Sequence, residues 1–181
     1  LAQWEPDESH SQCLRVPIGH DGHRLVSIDL VSDGPHALLA GTTGSGKSEA
    51  LTTWLAQMCE RFSPRQVQLV LIDYKGGATF TPLTRLPHTR QVLTDLEPDA
   101  TSRAIRGLSS LLRERERALA RLGFPDIRRW HEAHCRGAAP EPPARIIIAI
   151  DEFRVLADSH PDTLDALVRL AAQGRSLGLH L

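Results

Sequence analysis

The sequence predicts an α/β fold, a parallel sheet with helices on both faces and a small β-hairpin ahead of it. Three observations carry that expectation. Residues 67–72, apolar but for Gln68, and 146–150, apolar throughout, have the pattern of strands buried on both faces. Between them, apolar residues recur at helical spacing over stretches far too long for strands. A further apolar phrase, residues 35–40, runs directly into a glycine-rich loop that is followed by a helical pattern.

Taken in order, residues 1–14 read as a polar lead-in without period. Residues 15–18 and 24–30 are short alternating runs around Gly19, His20, Asp21 and Gly22, the signature of a hairpin. Residues 35–40 read as a buried strand. From Lys47 the period changes to about 3.6, with Leu51, Trp54, Leu55, Met58 and Phe62 on one helical face and Pro64 as the stop. Strand 67–72 follows, then a short strand at 91–94. Pro98 is suited to the first position of a long helix carrying Ala104, Ile105, Leu108, Leu111, Leu112, Leu119 and Leu122 on one side, ended by Gly123 and Pro125. A shorter helix spans 126–135 and a loop spans 136–143. Strand 145–150 ends in Asp151 and Glu152, and a last helix at 161–173 is closed by Gly174.

Composition narrows the function classes. Lys and Arg number 21 against 22 Asp and Glu, a net charge of −1, which excludes nucleic-acid binding driven by a bulk positive excess. Hydrophobic residues at 41% and charged residues at 24% exclude wholesale disorder. The longest apolar run is far short of the roughly 20 residues of a membrane helix. Cys13, Cys59 and Cys135 form no C-x-x-C pair, so free thiols in a reducing compartment are expected. The opening at Leu1 and the apolar close at Leu181 read as an excised piece of a longer chain.

The chemistry-bearing phrase is Gly41-Thr42-Thr43-Gly44-Ser45-Gly46-Lys47-Ser48, a full match to G-x-x-x-x-G-K-S/T between an expected strand and an expected helix. Glycines let the backbone turn its N–H groups onto one anion, and the helix start adds partial positive charge. Lys47 supplies an ammonium for β- and γ-phosphates, and Ser48 a hydroxyl for Mg²⁺. Asp151, at the tip of the second buried strand, is suited to the metal's opposite side, and Glu152 to orienting an attacking water. The expected ligands are therefore ATP and Mg²⁺, with Glu152 and Lys47 catalytic and Ser48 and Asp151 at the metal. Asp73 and Lys75 also follow a buried strand and could reach the nucleotide, a plain turn being the alternative. Arg103, Arg106, Arg113, Arg115, Arg117 and Arg121 share one helix and read as its solvated face. His131, His134 and Cys135 share a helical turn, but no second cluster completes a zinc site.

The strings GTTGSGKSE, LIDYKGGATF, LPHT with VLTDLE, AIDEF and QGRSLGLHL resemble the FtsK/SpoIIIE family of ring-forming motor ATPases. Within it they look most like the ATPase domains of EccC-type proteins of type VII secretion systems. The resemblance covers residues 15–181 and extends the nucleotide-binding run to Glu49. It implies an additional-strand, RecA-like P-loop ATPase core with the C-terminal part missing, because a strand inserted between the phosphate-loop strand and the Asp-Glu strand would follow Leu181. It implies a motor module that hydrolyses Mg-ATP, other ATPase modules of the same ring or parent chain as partners, and homo-oligomers at full length. Secreted proteins would be the substrates, with the parent on the cytoplasmic side of the cell membrane and this piece itself soluble. DNA translocation, or a non-hydrolysing ATP-binding assembly module, are the alternatives. The family's arginine finger would lie beyond Leu181, and Arg154 stands where a small or acidic residue is more usual.

Overall fold

The computed structural model describes residues 13–74, 78–94 and 98–181; residues 1–12 of the expected 1–14 lead-in, and Lys75, lie outside them. The elements run β1 (Arg15–His20), β2 (Leu25–Asp29), α1 (Lys47–Arg61), β3 (Val67–Asp73), β4 (Thr89–Thr94), α2 (Pro98–Leu122), α3 (Ile127–Cys135), β5 (Arg145–Asp151), α4 (Phe153–Ser159), α5 (Pro161–Gly174) and β6 (Leu179–His180). Single 3-10 turns occupy Thr81–Leu83 and Arg175–Leu177.

β3, β4, β5 and β6 form a parallel sheet of order β4-β3-β5-β6. Its alternating side chains feed two cores. Val70, Ile72, Ile146 and Ile148 face Leu108, Leu112 and Leu119 of α2, Trp130 of α3, and Leu167 and Leu170 of α5. Leu69, Leu71, Ile147 and Ala149 face Leu55, Met58 and Phe62 around α1, together with Leu14, Val16 and Leu30 of the hairpin region. Helices thus cover both faces, as the mostly apolar central strands require. The hairpin pairs antiparallel, and its turn is closed by Asp21, whose Oδ1 accepts from the N–H groups of His23 and Arg24.

Residues 35–40 depart from expectation. They form no strand, and Leu38 and Leu39 are 82% and 52% exposed. Only the first rung is present: the Ala37 N–H donates to the Leu181 carbonyl at 2.8 Å, while His180 Nδ1 donates to the Pro35 carbonyl at 2.9 Å. The segment therefore flanks β6, joined to it by these contacts rather than by a ladder. The inserted strand expected after Leu181 begins earlier than expected: Leu179 and His180 already pair with Ile146 and Ile147, between β5 and the Pro35 segment. Helix α4, not foreseen in sequence, follows Glu152 directly.

Candidate nucleotide and metal site

The site gathers where β3, β5 and the start of α1 converge. Asp73 and Asp151 are register partners at the tips of the two central strands, so adjacent strands end in carboxylates at the same level. α1 begins at Lys47, capped by Gly46 in the left-handed region at φ 82°. Gly44 is also left-handed, at φ 78°. At Gly41 a Cβ would stand 2.6 Å from Ser45 Oγ and 3.3 Å from Lys47 Cγ, so a larger residue there would have to push both side chains aside. Gly41, Thr42, Thr43, Gly44, Ser45 and Gly46 are all exposed, and Glu49 is exposed in the first turn of α1. The first N–H groups of this 15-residue helix have no intrahelical acceptor, which leaves donors at its start for an anion. The Lys47 ammonium lies across the loop, donating to the Thr42 carbonyl at 2.9 Å.

The acidic side is tightly organised. Ser48 Oγ donates to Asp151 Oδ2 at 2.9 Å, across 103 residues of sequence. Thr79 Oγ1 donates to the same oxygen at 2.7 Å, and the Glu152 N–H donates to Asp151 Oδ1 at 3.0 Å. Thr79 is fixed in turn by its own N–H, which donates to Oδ2 of the fully buried Asp73 at 3.0 Å. Glu152 has φ 53° and ψ 47°, a left-handed conformation that no other non-glycine residue adopts among those described. That backbone costs about 1–2 kcal/mol, and it turns the chain from β5 into α4, with the Glu152 carbonyl accepting from the Val155 N–H at 2.8 Å.

Ser48, Asp151 and Glu152 are thus brought together, with Lys47 on the same helix end. A half-exposed hydroxyl and carboxylate are the hard oxygen donors Mg²⁺ takes, and such a site is completed by phosphates and water rather than by a protein cage. No cluster of three His, Cys, Asp or Glu side chains able to hold a metal occurs among the described residues. Asp73, left open between nucleotide contact and plain turn, acts on Thr79. Thr79 itself was not singled out by sequence: a threonine six residues past a strand-ending aspartate is no motif, and its inclusion in the DYKGGATF string was the sole pointer.

Other expectations fall away from the site. Arg115 is not on a solvated face. It is 4% exposed and donates to the carbonyls of Leu177, Gly178 and Ala144, tying α2 to the turn before β6. Burial, with Arg90 and Arg145 nearby, brings its pKa down to about 10. The other arginines of that group are exposed, as expected. His131 is buried, whereas His134 and Cys135 are exposed, so the three do not converge. Arg154 faces solvent in an i,i+4 pair with Asp158 at 3.5 Å. Burial pushes the Cys59 thiol up to about 12, which keeps it an inert core residue.

The sequence profile of the FtsK/SpoIIIE family matches residues 2–181. Type VII secretion system protein EssC of Staphylococcus aureus (strain Mu50 / ATCC 700699) is 36% identical over 182 residues, 99% of this chain and 12% of that protein. ESX secretion system protein EccC of Geobacillus thermodenitrificans (strain NG80-2) is 38% identical over 176 residues, 94% of this chain and again 12% of the relative. Among solved structures, the cytoplasmic domain of the Thermomonospora curvata type VII secretion ATPase EccC superposes with a TM-score of 0.80 at 35% identity, over 99% of this chain and 22% of that one. The chain therefore spans about an eighth of the curated relatives it matches.

Proposed function

Because the chain belongs to the FtsK/SpoIIIE family, we propose that it is a working ATPase module of a type VII secretion motor, binding and hydrolysing Mg-ATP to drive protein export. The observation that carries the reading is the 2.9 Å contact between Ser48 and Asp151, which joins the glycine-rich loop and the Asp-Glu strand into one site. Likeness to EssC and EccC over nearly the whole chain supports the secretion setting. In this reading the module works on the cytoplasmic side of the cell membrane, beside other ATPase modules of its parent or ring, with secreted proteins as substrates. No helix among the described residues is long and apolar enough to cross a membrane, so any anchor would belong to other parts of the parent.

The backbone N–H groups from Gly41 to Ser48 cradle the β- and γ-phosphates, and Lys47 leaves the Thr42 carbonyl to meet them. Ser48 and Asp151 would hold Mg²⁺, which when bound neutralises charge on the β- and γ-phosphate oxygens. Glu152 orients a water and accepts its proton as the water oxygen bonds the γ-phosphorus and the bond to the β,γ-bridging oxygen breaks, releasing ADP and phosphate.

The test is phosphate release from the full-length parent in its assembled ring, wild type against Glu152→Gln. Loss of the carboxylate at unchanged side-chain volume is expected to slow turnover by about 10²–10⁴-fold while nucleotide affinity stays near wild type. Equal turnover by both would remove Glu152 from the mechanism. Nucleotide binding without turnover in either would instead favour an ATP-holding assembly module.

A further inference from the structure

We propose that Thr79 is a positioning residue for the metal-binding carboxylate, locked onto Asp151 by the buried Asp73; this rests on the reading of Ser48 and Asp151 as the Mg²⁺ site. Thr79 is held from every side that matters. Its hydroxyl donates to Asp151 Oδ2 at 2.7 Å, its N–H donates to Asp73 Oδ2 at 3.0 Å, and its carbonyl accepts from Thr52 Oγ1 of α1 at 3.4 Å. The next residue, Phe80, is fully buried in the core shared with α1, which pins the chain immediately after the hydroxyl.

The burial of Asp73 fits this role. A carboxylate with no exposed surface is costly unless hydrogen-bonded, and here one of its oxygens holds the backbone of the residue whose side chain reaches the neighbouring strand tip. Two strand-end carboxylates at one register level would repel if brought into direct contact. Thr79 separates their functions, taking Asp73 with its N–H and Asp151 with its hydroxyl.

The consequence lies in the division of labour on Asp151 Oδ2. Ser48 must share its hydroxyl between this oxygen and a cation, whereas Thr79 has no such second duty and keeps the carboxylate aimed throughout. Its β-branch stiffens χ1, so the hydroxyl is pre-set rather than found on binding. Groups that orient a metal ligand in this way typically contribute 10- to 100-fold to metal affinity.

The experiment uses the complete chain, the fluorescent nucleotide mant-ATP and a Mg²⁺ titration against an EDTA baseline. It compares wild type, Thr79→Val, Thr79→Ala and Thr79→Ser, each with a melting curve. Thr79→Val is expected to keep the metal-free mant-ATP affinity, while the Mg²⁺ concentration for half of the metal-dependent gain rises about 10- to 100-fold. Thr79→Ser, which restores the hydroxyl, should return close to wild type. If Thr79→Val melts early, Thr79→Ala against Thr79→Ser decides on the same readout. A wild-type Mg²⁺ midpoint in the hydroxyl-free variants, or a serine variant as impaired as they are, overturns the proposal. A wild type whose mant-ATP binding ignores Mg²⁺ would bring down the underlying reading of Ser48 and Asp151 instead, and this inference with it.

Discussion

Two apolar stretches lead into the site, residues 146–150 ahead of Asp151 and residues 35–40 ahead of Gly41, and they meet different fates. Ile146, Ile147, Ile148 and Ala149 are at most 5% exposed, between β3 on one side and β6 on the other. Leu38 is 82% exposed in a less apolar segment that opens on Pro35 and His36, with a single backbone bond at Ala37, to Leu181 at the end of β6. The difference teaches that an apolar phrase licenses a buried strand but does not make one: the paired stretch is buried and the unpaired one is not. It also divides the site. The carboxylate side is set by the sheet and by Thr79, while the side proposed for phosphate depends on glycines and the first turn of α1.

The comparison breaks most sharply on stability. Ile148→Ala is expected to cost about 2–5 kcal/mol, from lost burial and the cavity left in a packed core. Leu38→Ala, removing a side chain of equal size, should stay within about 0.5 kcal/mol. Urea unfolding of the two variants measures both, and equal losses would mean that Leu38 is packed in solution.

A pH-dependent effect sharpens the junction between the two stretches. Burial brings the His180 imidazole, bonded to the Pro35 carbonyl, down to about 4. His131 falls to about 3, again chiefly through burial, with Arg145 and His134 adding repulsion. Both are neutral in the folded chain and take up protons when it unfolds below their usual 6.5. Their contribution is complete above that pH and declines as pH falls toward 4, by about 1.4 kcal/mol per pH unit for each histidine. Urea midpoints across pH 7 to 4.5 should fall accordingly, and His180→Gln should flatten the curve. A pH-independent midpoint would contradict the buried, neutral assignment.

The glycine-rich loop and the Asp-Glu strand end were legible in sequence because each depends on local requirements. Gly41 and Gly46 answer to a close approach and a left-handed φ, and Asp151 to a strand tip. Thr79 was not legible, since its role exists only when β3 and β5 lie in register and Asp73 reaches forward to its N–H. Arg115 misled for a related reason. Its helix is basic, and only tertiary packing reveals that three carbonyls take in its guanidinium. Residues 35–40 carried a strand pattern, but Pro35 and His36 open it and the segment makes one backbone bond at the end of β6 in place of a ladder. α4 was hidden by its start, because Glu152 in a left-handed turn resembles no helix-entry signal.

The most direct measurement is calorimetric titration of ATP into wild type, Lys47→Ala and Asp151→Asn, each with Mg²⁺ and with EDTA. Lys47→Ala should lose about ten- to a hundredfold in affinity under both conditions, at about 1.5–3 kcal/mol per charge-assisted hydrogen bond removed. Asp151→Asn should keep the metal-free affinity of wild type and lose only the gain that Mg²⁺ brings. An Asp151→Asn chain that retains the full Mg²⁺ gain, or a Lys47→Ala chain that binds ATP as wild type does, would contradict a site made of a phosphate half and a metal half.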